Sequence, residues 1–320
     1  MRNPEKVLNS LTKHSNQTDY KFERLYRVLF NEKMYYRAYQ KLSKKQGNNT
    51  NGSDGKNIDG MNIVEIKQLI QKLRDESYQP APARRTYIPK KNGKMRPLGI
   101  PAFKDKLVQE VMRMILEAVY EDSFSYMSHG FRPAKSCHTA LKYLQDNFIG
   151  TKWFIEGDIK GFFDNINHDV LIKILRERIK DERFIRLVRK FLNAGYIENW
   201  VFHRNYSGTP QGGIISPLLA NIYLDKLDKY MMEYIGKFDK GKKRRRNPEH
   251  RKLEGRKRTV IKKLARETDM GNILMLQKEI KEIEKKRVQI PAADGMDSNY
   301  KRLKYVRYAD DFLIGVIGSK

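Results

Sequence analysis

The sequence predicts an α+β fold in which an antiparallel sheet packs on helices. Three observations predict it. Near the C-terminal end, the apolar runs 303–307 and 312–317 flank Tyr308-Ala309-Asp310-Asp311. Both runs are short and rich in β-branched or aromatic residues, so they read as strands joined by a tight turn. Far upstream, Trp153-Phe154-Ile155-Glu156-Gly157-Asp158 reads as a buried strand with an aspartate at its end. Elsewhere apolar residues recur at every third or fourth position, the spacing of amphipathic helices.

The carboxylates on those strands suggest the chemistry. Two carboxylates ~4 Å apart repel by roughly 4 kcal/mol at an effective dielectric of 20, so a turn carrying Asp310 beside Asp311 is easier to explain with a cation on it. A solvated Asp-Asp turn is the plain alternative, and Asp158 in a like setting argues against it. Magnesium prefers hard oxygen ligands, and two such ions ~4 Å apart serve phosphoryl transfer. The formal charge is +27, from 65 Lys and Arg against 38 Asp and Glu. That balance points to a polyanionic partner, with nucleic acid favoured over a membrane surface. No apolar run is long enough to span a bilayer, no signal peptide opens the chain, and Cys137 is the single cysteine. Disulfides within the chain and thiolate zinc sites are therefore excluded, and a reducing cytoplasm is the expected setting.

Taken in order, residues 19–45 alternate aromatic and basic side chains with helical spacing. Aromatics on helices are core by default, and Tyr35 and Tyr36 are the candidates for contact with RNA. A Gly- and Asn-rich loop, 47–55, precedes a second amphipathic helix from about Asn62 to Asp75. The runs Arg85–Ile88 and Met95–Ile100 flank Asn92-Gly93, a strong turn signal, so 84–101 reads as a hairpin with Lys90, Lys91, Lys94 and Arg96 at its tip. Helices follow from about Asp105 to Tyr120 and from near Ser136, with His129-Gly130-Phe131-Arg132-Pro133 between them. Past Asp158, the tail Lys160-Gly161-Phe162-Phe163-Asp164 turns into helices over about 168–179 and 182–194. Ser216 then Pro217 is an N-cap and first-turn pair that opens a helix to about Tyr234. Residues 237–266 hold fifteen Lys or Arg against Asp239, Glu249 and Glu254, a surplus of twelve. This reads as a charged arm, followed by a weak helix from about Met270 to Val288.

The Tyr-Ala-Asp-Asp hairpin beside a strand ending in Asp resembles the palm of reverse transcriptases. His129-Gly130-Phe131-Arg132-Pro133, and Pro210-Gln211-Gly212-Gly213 followed by Ser216-Pro217-Leu218-Leu219-Ala220-Asn221, are similar to signatures of the group II intron enzymes. Matching motifs run from about residue 20 to 320, although the 47–55 loop is more polar than in that family. The resemblance implies a right-hand polymerase: an antiparallel palm sheet packed on helices, fingers, and a mostly helical N-terminal extension, with the thumb absent. Residues 1–148 would be extension plus fingers. Residues 149–320 would be a truncated palm with a basic insertion at about 237–300, and 168–210 would fold back on the fingers.

The resemblance also implies roles. Asp158, Asp310 and Asp311 would be catalytic, and with Ile159 they would hold two Mg2+ ions, Mn2+ being a possible substitute. Lys90, Arg96, Phe163 and Gln211 would bind the dNTP, with Phe163 excluding a 2′-hydroxyl and Gln211 lying against the nascent base pair. His129 reads as structural. Arg132, Arg244, Arg245, Arg246, Tyr35 and Tyr36 are the candidate nucleic-acid contacts, with a structural salt bridge the rival role for Arg132. Expected partners are intron RNA, an RNA template, a DNA primer and dNTPs, with no membrane. Uncovered palm surface would favour a homodimer. An RNA-binding splicing maturase without significant polymerase activity is the alternative function, and a viral RNA-dependent RNA polymerase is a third reading.

Overall fold

Helix α4 (Phe103–Tyr120) organises the larger of two units because almost its whole circumference is buried. Such a helix must satisfy the polar groups that it carries inside. Asp105 accepts from Tyr78 Oη at 2.5 Å and from Ala81 N at 2.8 Å. Glu110 pairs with Arg113 at 2.8 Å and with Lys41 at 3.0 Å. Gln109 Oε1 accepts from Ile214 N at 2.8 Å, tying the loop ahead of Ser216 to this core. The computed structural model describes residues 3–17, 19–89, 93–209 and 212–318.

In chain order, α1 (Pro4–Thr12), α2 (Glu32–Ser43) and α3 (Ile63–Arg74) precede the hairpin β1 (Ala83–Pro89) and β2 (Met95–Ile100). After α4 come α5 (Cys137–Asn147), β3 (Trp153–Asp158), the short α6 (Phe162–Asn165), α7 (His168–Arg176) and α8 (Glu182–Leu192). A small hairpin, β4 (Tyr196–Glu198) and β5 (Val201–His203), leads to the long α9 (Ser216–Phe238). Helices α10 (Pro248–Leu264) and α11 (Met270–Val288) precede the last hairpin, β6 (Arg302–Tyr308) and β7 (Asp311–Ile317). No helix among the described residues is long and apolar enough to cross a membrane.

The first unit comprises residues 1–140, 158–229 and 307–312. Its four-stranded sheet has the order β2-β1-β4-β5, with β1 antiparallel to β2 and parallel to β4. The register pairs Arg84 with Ile100 and Ile88 with Arg96. Helices α1 and α2 pack on α4. One apolar core, from Phe22 through α4 and α8 to Leu224, joins these elements.

The second unit comprises residues 141–157, 230–306 and 313–320. It holds the helical hairpin α10–α11, laced by Arg256–Glu279 at 2.8 Å and Lys257–Glu284 at 2.6 Å. A three-stranded sheet has the order β3-β7-β6. Lys152 N donates to Val316 O at one end and Ile159 N to Asp310 O at the other, so β3 runs antiparallel to β7. Asp158 and residues 307–312, at the ends of these strands, are counted with the first unit.

The structure corrects three readings. The stretch 19–45 is not one helix: a 3₁₀ turn (Leu25–Phe30) is separated from α2 by Asn31, whose side chain caps α2 by accepting from Lys33 N. Strand β3 is not buried, because it lies at a sheet edge; Phe154 is 58% and Ile155 53% exposed. Half of the basic arm is the ordered helix α10, opened by the Asn247 cap and Pro248.

Candidate active site

The strand ends bring the expected aspartates into one neighbourhood of the first unit. Asp158 closes β3 and is exposed, while Asp310 lies in the β6–β7 turn and Asp311 opens β7. The link is main-chain: Ile159 N lies 3.4 Å from Asp310 O, so the carboxylates leave adjacent strands at the same end of the sheet. Ala309 occupies the left-handed region with φ +57°, which costs a residue with a Cβ about 1 kcal/mol. Among the described residues no three Asp, Glu, His or Cys side chains converge as a metal-holding set. Like charges favour spreading apart. The donors are nonetheless of the right kind, since exposed carboxylate oxygens on neighbouring strands suit a hard divalent cation.

Phe163 follows β3 on the short helix α6. Phe162 is buried in the core against Tyr223, whereas Phe163 is half-buried and meets Phe131 edge-on at 6.2 Å. Its backbone is fixed, because Thr209 N donates to Phe163 O at 2.7 Å and Gly208 N to Ile166 O at 2.8 Å. His168 Nε2 donates to Gly208 O at 2.7 Å. Arg96 is exposed on β2. Lys90 and Gln211 lie outside the described residues.

Two candidate nucleic-acid contacts become structural. Tyr35 is 0% exposed and donates to Leu29 O at 2.9 Å, while its neighbour Tyr36 is 40% exposed. Arg132 is spent on its own loop: it pairs with Glu121 at 2.9 Å and donates to Ser125 O and Ser128 O at 2.6 and 2.9 Å. The salt-bridge role is therefore the one the structure gives it. His129 is buried, with Nδ1 bonded to Thr139 Oγ1 at 2.9 Å, and burial pushes its pKa down to about 4. In the second unit Arg244 donates to Gly150 O at 2.9 Å, and Arg245 and Arg246 pair with Asp294 and Glu254.

Sequence reasoning missed Arg307 and Asp228. Both side chains are 0% exposed and form a bidentate pair just ahead of the turn. The one available signal was an arginine inside an apolar strand, which needs a buried acid to be tolerated.

Comparison with known proteins follows the same lines. A family model described as reverse transcriptase (RNA-dependent DNA polymerase) matches residues 88–243. The group II intron-encoded protein LtrA of Lactococcus lactis subsp. cremoris is 49% identical over 98% of this chain and 52% of its own length. An uncharacterized 91 kDa protein in the cob intron of Schizosaccharomyces pombe is 45% identical over 91% of this chain and 35% of its own. A putative COX1/OXI3 intron 1 protein of Saccharomyces cerevisiae is 41% identical over 92% of this chain and 34% of its own. The chain belongs to the group II intron-encoded reverse transcriptase and maturase family. It spans about half of the lactococcal member and about a third of the yeast ones. Reverse transcriptases generally use divalent metal ions.

Proposed function

We propose that this chain forms the nucleotidyl-transfer centre of an RNA-directed DNA polymerase that also binds intron RNA to assist splicing and mobility. The observation that carries the reading is the main-chain pairing of Ile159 with Asp310, which sets Asp158 beside Asp310-Asp311. In this reading Asp158, Asp310, Asp311 and Ile159 hold two Mg2+ ions, with Mn2+ as a substitute. Ions held there would supply the positive charge that activates the primer's attacking oxygen and steadies the leaving pyrophosphate.

The chain's other residues would bind and orient. Arg96, and Lys90 beyond the described residues, would neutralise the incoming triphosphate, Arg through its bidentate fork. Phe163, held by Thr209, would wall off a 2′-hydroxyl, and Gln211 would lie against the nascent pair. Residues 1–148 are taken as extension and fingers and 149–320 as palm. The exposed Phe154 and Ile155 support self-association of the isolated chain.

Primer extension on an RNA template, with dNTPs set against NTPs, tests the proposal. Asp158→Ala and Asp310→Ala should each abolish extension while leaving melting temperature and RNA affinity close to the parent's. Undiminished synthesis by the Asp310 variant would overturn it. Splicing assistance that survives in a variant without synthesis would assign the maturase role to the charged surface instead.

A further inference from the structure

The aspartate turn is held from behind by a closed set of buried groups in the first unit. Arg307, two residues before Ala309, donates from Nε and Nη2 to the two carboxylate oxygens of Asp228 at 2.8 and 2.6 Å. Its Nη1 donates to Ala309 O at 2.8 Å and to Asn221 Oδ1 at 3.1 Å, and Nη2 reaches Ser128 Oγ at 2.8 Å. Asn221 in turn donates to Gly130 O at 2.8 Å. Gly130 lies flush against the turn: a Cβ there would come within 2.3 Å of Ala309 N and 3.0 Å of Ala309 Cα. Three distant segments, around 128–130, 221–228 and 307–309, thus converge on one residue.

That residue is the left-handed Ala309, which its intrinsic preferences would not hold in place. A carbonyl fixed by a buried guanidinium and an amide backed by a glycine over-determine its conformation, and Asp310 follows directly. We infer that Arg307, Asp228 and Gly130 are positioning residues, forming a clamp that sets the orientation of Asp310 and Asp311. This deepens the polymerase reading and rests on it for its catalytic consequence. The structural part stands on the contacts alone. Arg suits the post because its planar fork can serve Asp228 and a main-chain carbonyl at once, which a lysine ammonium cannot do with fixed geometry. The inference also gives Gly130 and Asn221 a reason to occupy their motifs: both lie on the path from Asp228 to the turn.

The test separates positioning from mere support. Replacing a buried ion pair by apolar residues of similar volume often preserves stability, so Asp228→Leu with Arg307→Met keeps the packing but removes the bond to Ala309 O. Gly130→Ala approaches the turn from the other side and leaves the ion pair alone. Three readouts apply to parent and variants: the melting transition, hydrogen exchange of the 309–311 amides, and Mn2+ affinity by electron paramagnetic resonance. Both variants should melt cooperatively, exchange the turn amides at least about tenfold faster, and bind Mn2+ more weakly. In single-nucleotide extension kcat should fall about a hundredfold with KM for the dNTP little changed, as for a misplaced reacting group. Parent-like exchange and Mn2+ affinity in both variants would overturn the clamp. Should the double variant fail to fold, Gly130→Ala decides alone by the same readouts. A parent with a protected turn that adds no nucleotide would count against the polymerase reading and leave the clamp standing.

Discussion

Gly212 lies directly behind Gly99: a Cβ at Gly212 would come 2.2 Å from the Gly99 carbonyl oxygen. Gly212 also has φ +109°, a region that side chains rarely adopt. The loop before α9 therefore reaches the β1–β2 hairpin this closely only because Gly212 lacks a side chain. Gly212→Ala should destabilise the first unit by at least about 2 kcal/mol. Urea unfolding compared with the parent measures this, and an unchanged midpoint would show that the loop shifts at no cost.

Phe163→Ala should relax sugar discrimination. Phe162 is committed to the core, so removing the half-buried Phe163 ring takes away the proposed wall without emptying the core centre. A wall of this kind rejects a hydroxyl by about a hundredfold at most, so ribonucleotide use relative to deoxynucleotide should rise by about ten- to a hundredfold. Paired single-turnover measurements with dNTP and NTP read the ratio directly. An unchanged ratio would make Phe163 a packing residue.

What the sequence revealed depended on how local the cause was. The β6–β7 hairpin and the β1–β2 hairpin were legible because turn chemistry and strand composition act within a few residues. The order β2-β1-β4-β5 was not, since three-residue strands such as β4 and β5 carry too little pattern, β4 being recruited by pairing with β1 and β5 by pairing with β4. Helix α10 was hidden because Val260 is its sole buried residue, so its 3.6-residue period barely shows through the Lys and Arg. Tyr35 and Tyr36 are neighbours on one helix, and only tertiary packing decides which faces the core. The strand-end aspartates were singled out by residue type and setting. Their buried support was missed, because Asp228 and Arg307 meet only after the chain folds.

His129 should make stability depend on pH in a defined window. Burial, reinforced by the positive charges of Lys135 and Arg132, lowers its pKa from 6.5 to about 4 in the folded protein. The unfolded chain therefore takes up this proton first, so the contribution is full above pH 6.5 and is lost as pH falls toward 4. Over that range the stability difference between the parent and His129→Gln should shrink by about 3 kcal/mol. Denaturant titrations of both proteins across the window measure it. A difference independent of pH would mean that His129 titrates normally.

The basic arm should contact nucleic acid through two of its three successive arginines. Arg244 is held by Gly150 O and lies 5.4 Å from the Tyr300 ring, so it serves the second unit's own structure. Arg245 and Arg246 each have an acidic partner, yet their side chains remain 68% and 63% exposed. Ion pairs at such exposure contribute little, and a phosphate can replace either carboxylate. Each phosphate neutralised on a single strand contributes about −0.7 to the slope of log affinity against log salt, so Arg245→Ala with Arg246→Ala should flatten the slope by about 1.4. The loss should be alike on intron RNA and an unrelated RNA, because phosphate contacts position without reading bases. Arg244→Ala should instead lower the melting temperature and leave the slope nearly unchanged. Filter binding over a salt series decides between these outcomes. A parent-like slope in the double variant would show that Arg245 and Arg246 do no more than pair with Asp294 and Glu254.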